Sequence, residues 1–136
     1  MQRWDNGAVS ALTSILSSPG WELLASLQAR QENNPIPLTE LGSALRARGI
    51  EAELTAAILT QLALRHAART KFGPVASHMV FTRDGLEQAT RLVVAVRHAQ
   101  RFRDCGATRV GDLGCGIGAD ALAMAGLGLD VLAVDI

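Results

Sequence analysis

Apolar residues recur three and four positions apart through the first hundred residues, which is the spacing of helices that bury one face. Asp5 or Asn6 is the predicted cap of a first short helix. Ser18-Pro19 starts the second helix, because proline fits a first helical turn, where its missing N–H costs nothing. A polar run at 31–37 predicts the loop that follows. The residues predicted to face inward are Val9, Leu12, Ile15, Leu16, Trp21, Leu23, Leu24 and Leu27.

Two further helices follow this loop. Thr39 opens a helix through Arg48, and Gly49 is its predicted stop, since glycine readily takes the left-handed conformation found at helix ends. A longer helix runs from Glu51 to about Thr70. Its apolar stripe is formed by Leu54, Ile58, Leu62 and the alanines between them.

The sequence KFGP at 71–74 ends the long helix, because proline disfavours helical geometry in the residue before it. We expect an extended connector at 75–81. Thr82 then caps a last helix to about Arg103, with acids in its first turns, where the helix dipole favours negative charge. Its predicted inward residues are Leu86, Ala89, Leu92, Val93 and Val96.

The pattern changes at Gly106. ATRVGDLG (107–114) predicts a short strand, Ala119–Leu127 a helix of small residues, and LDVLAV (129–134) a second strand. Strand, glycine loop, helix and strand within about 30 residues form one β-α-β unit of a parallel sheet. The predicted fold class is therefore α + α/β, with an all-helical N-terminal domain at 1–104 and the start of a doubly wound sheet at 105–136.

Composition restricts the setting of the protein. The chain is 49% apolar and 19% charged, which suits a packed core and argues against disorder. The start of the chain lacks the basic and apolar run of a signal peptide, and no uncharged apolar stretch reaches the ~18–20 residues of a membrane span. Cys105 and Cys115 match no metal-ligand spacing and suggest no disulfide framework. We expect a cytoplasmic protein without a membrane partner.

The glycine loop between the two strands carries the clearest chemistry. Glycines let the chain turn sharply and let a ligand touch the backbone. The pattern Gly114-x-Gly116-x-x-Ala119 also satisfies the fingerprint of nicotinamide dinucleotide binding. Asp135, after the second strand, is placed to bind a ribose in either class. The glycines alone leave both cofactors open.

Asp112 favours one of them. It lies two residues before the first glycine, where a carboxylate repels a pyrophosphate but suits a cationic ligand. S-adenosylmethionine carries an amino group and a sulfonium and has no phosphate. The alternative is that Asp112 only caps a turn and that the glycines only make a tight corner.

The segment DLGCGIGADALAMAGLGLDVLAVD (112–135) resembles the first motif and second strand of class I S-adenosylmethionine-dependent methyltransferases. The resemblance implies a Rossmann-like fold with S-adenosylmethionine as cofactor. Asp112 and the loop residues then line the methionine part of the cofactor, and Asp135 binds the adenosine ribose. The loop residues are Gly114, Cys115, Gly116 and Gly118.

A second resemblance covers residues 60–105 and is carried by KFGPVASHMVFTRDGLEQATRLVVAVRHA (71–99). It is similar to bacterial methyltransferases related to the trimethylguanosine synthase family (RNA cap guanine-N2 methyltransferases), some with a THUMP-like C-terminal segment. This implies RNA or a nucleotide base as the substrate. Residues 65–109 hold nine Arg or Lys against three acids, and Arg69, Lys71, Arg97 and Arg101 are the candidate RNA-binding residues. The alternative is that these cations stabilise helix ends and form a solvated face.

The resemblance accounts for only the first two strands of such an enzyme, so we expect a truncated N-terminal fragment with weak or undetectable cofactor binding and no turnover alone. Its acceptor-site motif and catalytic residues would lie beyond Ile136. The first strand, left unpaired at one edge, is expected to join two copies. Two other function classes stay open: a NAD-dependent oxidoreductase and a non-catalytic helical interaction module.

Several single residues are assigned structural roles. His66, His78 and His98 have no acidic or cysteine partner at metal-ligand spacing and are predicted to be structural or surface residues. Trp4 and Trp21 are predicted core anchors. Phe72 is predicted to pack the helical domain onto the sheet, and the alternative is that it lines the mouth of the cofactor site.

Overall fold

The computed structural model describes residues 12–135. These residues are mostly helical, with one two-stranded parallel sheet close to the C-terminal end. Contacts divide the chain into two compact units, one ending at Ala63 and the other starting at Leu64. The helical residues 64–104 thus share a unit with the strands. Within residues 12–135, no helix combines the length and the apolar character that crossing a bilayer requires.

The first unit is helical. After a helical stretch at 12–16 come α1 (Ser18–Asn33), α2 (Leu38–Ala47) and the first part of α3 (Ala52–Phe72). Ser17 caps α1, its Oγ accepting from the Gly20 amide at 3.3 Å, and proline lies in the first turn as predicted. The loop is shorter than predicted, because α1 continues through Asn33. The Gln31 side chain bonds both the amide and the carbonyl of Ile36, which holds the loop against the helix end.

Gly49 ends α2 as predicted. Its φ is +78°, and its amide donates to Arg46 while the next amide, of Ile50, donates to Leu45. These two bonds are the Schellman arrangement, which satisfies carbonyls that the helix end leaves without partners.

The core of the first unit confirms most of the predicted apolar stripe. Leu16 and Trp21 are exceptions, at 63% and 38% exposed, so the predicted role of Trp21 as a core anchor is wrong. Gly20 faces the preceding helical residues instead, and an added Cβ there would lie 2.1 Å from the Ser14 carbonyl. The predictions for Trp4, Asp5, Asn6 and Val9 fall outside the described residues. The buried core residues are Ile15, Leu24, Leu27, Leu41, Leu45, Ala57, Ile58 and Leu62.

The second unit begins with the end of α3. Helix α3 stops at Phe72, and a 3-10 helix (Gly73–His78) follows where an extended connector was predicted. Phe72 is buried as predicted, with its ring centroid 5.7 Å from that of Phe81. The cluster around this pair contains Ala68, Ala76, Leu86 and Ala119.

The single helix predicted from Thr82 to Arg103 is wrong, because two helices stand there: α4 (Arg83–Gln88) and α5 (Leu92–Asp104). Thr82 caps α4 as predicted, with its Oγ1 accepting from the Gly85 amide at 3.1 Å. Helix α4 ends at Ala89, whose backbone is extended. Three carbonyls at this end accept from the Lys71 side chain, which replaces the partners that a continuing helix would supply.

A strand-helix-strand unit completes the described chain: β1 (Arg109–Leu113), α6 (Ala119–Gly126) and β2 (Asp130–Val134). The strands pair in parallel, with Arg109 opposite Asp130 and Leu113 opposite Val134. This confirms the predicted parallel pair. Helices α5 and α6 pack with the sheet around a core of Ala95, Ala99, Ala123, Met124 and Leu129.

The two faces of the sheet differ. Val110 and Val131 lie on the face that packs against the helical core. On the opposite face Leu113 is 79% exposed and Leu132 is 66% exposed. Among the described residues, both strands therefore expose an apolar side chain on this face.

Candidate cofactor-binding site

The loop between β1 and α6 depends on its glycines. Gly114 leaves the strand with φ +92°, and Gly118 enters the helix with φ +79°. A side chain at either position is strained, because L-residues other than glycine rarely adopt such angles. The sequence therefore dictates a sharp corner at the carboxyl end of β1.

Strand β2 fixes the shape of this loop. The Val134 carbonyl accepts from the amides of Gly114 (2.7 Å) and Cys115 (3.1 Å). The next amide, of Gly116, donates to Oδ2 of Asp135. The structure thus brings together the loop and the acid that sequence reasoning assigned to one site.

Few backbone donors of this loop are left for a ligand. The amides of Gly114, Cys115 and Gly116 are used by β2 and Asp135, and the Gly118 amide donates to the Cys115 carbonyl at 2.8 Å. A loop that binds phosphate does so mainly by offering free amides. The geometry therefore favours a ligand that does not depend on a cradle of N–H groups.

Asp112 lies one residue before the end of β1. Its register partner is Ala133, and it shares the helix-facing side of the sheet with Val110. The Asp112 Oδ2 atom is buried and has no hydrogen-bond partner among residues 12–135. A buried carboxylate oxygen without a partner is costly, so it points to a donor or cation that binds there.

Helix α4, which precedes the glycine loop in the chain, packs against this loop. An added Cβ on Gly85 would lie 2.7 Å from the Cγ2 atom of Ile117, so the α4 backbone abuts this loop side chain. Ile117 packs against the cluster that contains Phe72 and Phe81. A glycine in the first turn of a short helix is the one feature of the sequence that could have indicated this contact.

An apolar groove of about 410 Å³ lies beside the loop. Ile117 and Gly118 of the loop line it together with residues of α6 and β2. None of its lining residues is charged, so it offers no counter-charge to a phosphate. The remaining lining residues are Met79, Val80, Ala121, Leu122, Ala125, Val131 and Ala133.

One histidine makes an ion pair that the sequence did not predict. His98 has an acidic partner that lies 22 residues further along the chain: its Nδ1 is 2.7 Å from Oδ1 of Asp120. The pair joins α5 to the first turn of α6, where an acid also suits the helix dipole. Within residues 12–135, no group of three or more His, Cys, Asp or Glu side chains is arranged to hold a metal ion. Cys105 and Cys115 are free thiols.

The candidate RNA-binding residues fall into two groups. Arg69, Arg97 and Arg101 are exposed, and the last two lie one turn apart on the outward side of α5. Lys71 is half-buried, and its ammonium donates to the carbonyls of Leu86, Glu87 and Ala89 at 2.7, 2.7 and 3.2 Å. An ammonium has three donors, so Lys71 has none left for a phosphate in this conformation.

A neighbouring cation is also internal. Arg65 is 2% exposed, and its Nε donates to the Met79 carbonyl at 2.8 Å. Burial lowers the pKa of its guanidinium, because the charged form loses hydration. Part of the basic character of residues 65–109 thus serves folding and not a surface.

A family model described as a domain of unknown function (DUF8688) matches residues 8–68, which is close to the extent of the first compact unit. No curated protein matches the chain, and no solved structure does. The glycine loop and both acids lie outside the matched range.

Proposed function

We propose that the chain contains the cofactor-binding part of a class I S-adenosylmethionine-dependent methyltransferase. The single observation that carries the proposal is the buried, unpartnered Oδ2 of Asp112 at the carboxyl end of β1. In this proposal the strand-helix-strand unit is the start of a Rossmann-like sheet, whose ligands bind at the carboxyl ends of strands.

Each site residue then has a role. Asp112 accepts from the ammonium of the methionine tail, directly or through water, which supplies the missing partner of its oxygen. Gly114, Cys115, Gly116 and Gly118 keep side chains away from that tail. Asp135 accepts from the ribose hydroxyls while it holds the Gly116 amide, since an ionised carboxylate has about four lone-pair sites. Catalysis in this class rests on positioning the methyl donor and acceptor.

A nicotinamide dinucleotide is the weaker candidate. Its pyrophosphate would approach a buried carboxylate and a loop whose amides are largely used. Like charges at close range and the lack of donors both oppose such binding. The cofactor test therefore compares these two ligands directly.

The test is an NMR titration of the ¹⁵N-labelled chain with S-adenosylhomocysteine and, separately, with NAD⁺, at millimolar concentrations that detect weak binding. We expect S-adenosylhomocysteine to shift the amide signals of Asp112, Gly116 and Asp135, and NAD⁺ to leave them in place. Asp112→Asn should weaken binding about tenfold, because a charge-assisted hydrogen bond is replaced by a neutral one.

Asp104→Asn is the matched control, since it removes an exposed carboxylate at the end of α5. It should leave the titration unchanged. Shifts with NAD⁺ alone would replace this proposal with an oxidoreductase. Binding of neither ligand would favour a helical interaction module.

RNA is the proposed methyl acceptor. Arg97 and Arg101 support this part of the proposal, because both are exposed and their side chains share one side of α5. Changing both to Gln should reduce the slope of log affinity for single-stranded RNA against log salt by about 1.4, given two lost phosphate contacts. Fluorescence anisotropy across a salt series measures this.

Arg30→Gln with Arg46→Gln is the control, because both arginines are exposed in the first unit. Equal slopes for the wild type and the Arg97/Arg101 variant would indicate that these residues form a solvated helix face and do not bind RNA.

A further inference from the structure

Lys71 is bound to the backbone of another helix in an unusual way. Its Nζ atom lies 2.7 Å from the carbonyls of Leu86 and Glu87 and 3.2 Å from that of Ala89. These carbonyls stand at the C-terminal end of α4, where a helix has no amides of its own to satisfy them. One ammonium thus uses its three donors to terminate α4.

Helix α4 depends on such support. It has six residues, and isolated helices of that length are not stable in water. Thr82 satisfies its N-terminal end, and Lys71 satisfies its C-terminal end. A cation at this end also interacts favourably with the helix dipole. Lys71 therefore determines where α4 stops and how it lies against its neighbours.

The glycine loop is the neighbour that matters. The Gly85 backbone is so close to Ile117 that an added Cβ would lie 2.7 Å from the Ile117 side chain. Leu86 and Ile117 also share one apolar cluster. Because interiors are close-packed, a shift of α4 displaces Ile117 and with it the loop.

We propose that Lys71 is a positioning residue of the cofactor site, acting through α4 and Ile117 on the loop Gly114–Gly118. The effect of Lys71 on ligand affinity rests on the proposed function, whereas its effect on the position of the loop is independent of that function. A modification that neutralises this ammonium, such as acetylation, would act on the loop by the same route.

The experiment compares Lys71→Met, Lys71→Arg and the control Arg103→Met, which removes an exposed cation in the last turn of α5. The first readout is the amide shifts of Gly114, Gly116 and Gly118 without ligand. We expect Lys71→Met to move them, Lys71→Arg to move them less, and Arg103→Met to leave them. The second readout is affinity for S-adenosylhomocysteine, which Lys71→Met should weaken about three- to tenfold.

Two results would overturn the inference. One is a Lys71→Met protein with a lower Tm but wild-type loop shifts, which would make Lys71 merely stabilising. If Lys71→Met does not fold, Lys71→Arg decides: shifts at Leu86–Ala89 without shifts in the loop would overturn it equally. Failure of the wild type to bind S-adenosylhomocysteine would remove the proposed cofactor and leave the loop comparison valid.

Discussion

Substitution by alanine is expected to change the stability of the protein in opposite directions at two glycines with different surroundings. Gly20→Ala should destabilise the protein by about 1–3 kcal/mol, because its Cβ would meet the Ser14 carbonyl at 2.1 Å and force the backbone to shift. Gly126→Ala is the control: nothing lies within 4 Å of its Cβ, so it should stabilise α6 by about 0.5–1 kcal/mol. Urea unfolding measures both. A Gly20→Ala protein as stable as the wild type would contradict the close approach.

At the scale of single residues, the sequence was informative where the candidate site residues lie close together along the chain. Asp112, the loop glycines and Asp135 were found because their separations along the chain reflect one corner between two strands. The role of Lys71 was not predictable, since its partners lie 15 to 18 residues away and depend on how α4 folds back. The acidic partner of His98 was missed for the same reason, as the two lie on different helices.

At the scale of elements, caps and stops predicted boundaries better than apolar periodicity did. Gly49, Thr82 and the glycines of the loop mark real ends, because each acts on the adjacent backbone. Periodicity alone predicted one helix in place of α4 and α5, and the break between them coincides with a tertiary contact from Lys71 that local sequence does not reveal. The identity of the elements was thus largely predictable, and their interruptions were not.

Phe72 should be the most sensitive position in the second unit. Phe72→Ala removes a ring that is 1% exposed and packs on Phe81, so we expect a loss of about 3–5 kcal/mol in the free energy of unfolding. Val75→Ala, three residues on and 43% exposed, should stay within about 0.5 kcal/mol of the wild type. Thermal or urea unfolding measures the difference. Similar values for the two variants would contradict this packing.

The contact between α5 and α6 can be tested through its ion pair. A double-mutant cycle with His98→Gln and Asp120→Asn should give a coupling free energy below about 1 kcal/mol, because both side chains remain partly exposed. Arg109 with Asp130, which are more exposed, should couple still more weakly. A larger coupling for the second pair would contradict this ranking.

At the scale of the whole molecule, the exposed side of the sheet is the feature most open to association. Leu113 and Leu132 are exposed there, and within residues 12–135 the outer edge of β1 has no strand beside it. We propose that two copies associate through this strand, since an unpaired strand edge is a template for pairing.

Leu113→Lys should lower this association, because a charge on the strand opposes edge pairing while a 79% exposed side chain contributes little to folding. Light scattering at high protein concentration measures the effect. Glu87→Lys adds a charge to the exposed surface of α4 and serves as the control. A wild-type chain that stays strictly monomeric would exclude the association.

The hydrogen bonds between the end of β2 and the glycine loop have a consequence for ligand binding. Because Val134 and Asp135 already accept from three successive loop amides, the corner has its shape before a ligand binds. Ligand binding then costs the protein little conformational entropy, so the free energy of binding reflects mainly the contacts that the ligand makes. If the proposed function holds, selectivity at this corner is accordingly decided by the charge of the ligand and not by rearrangement of the protein.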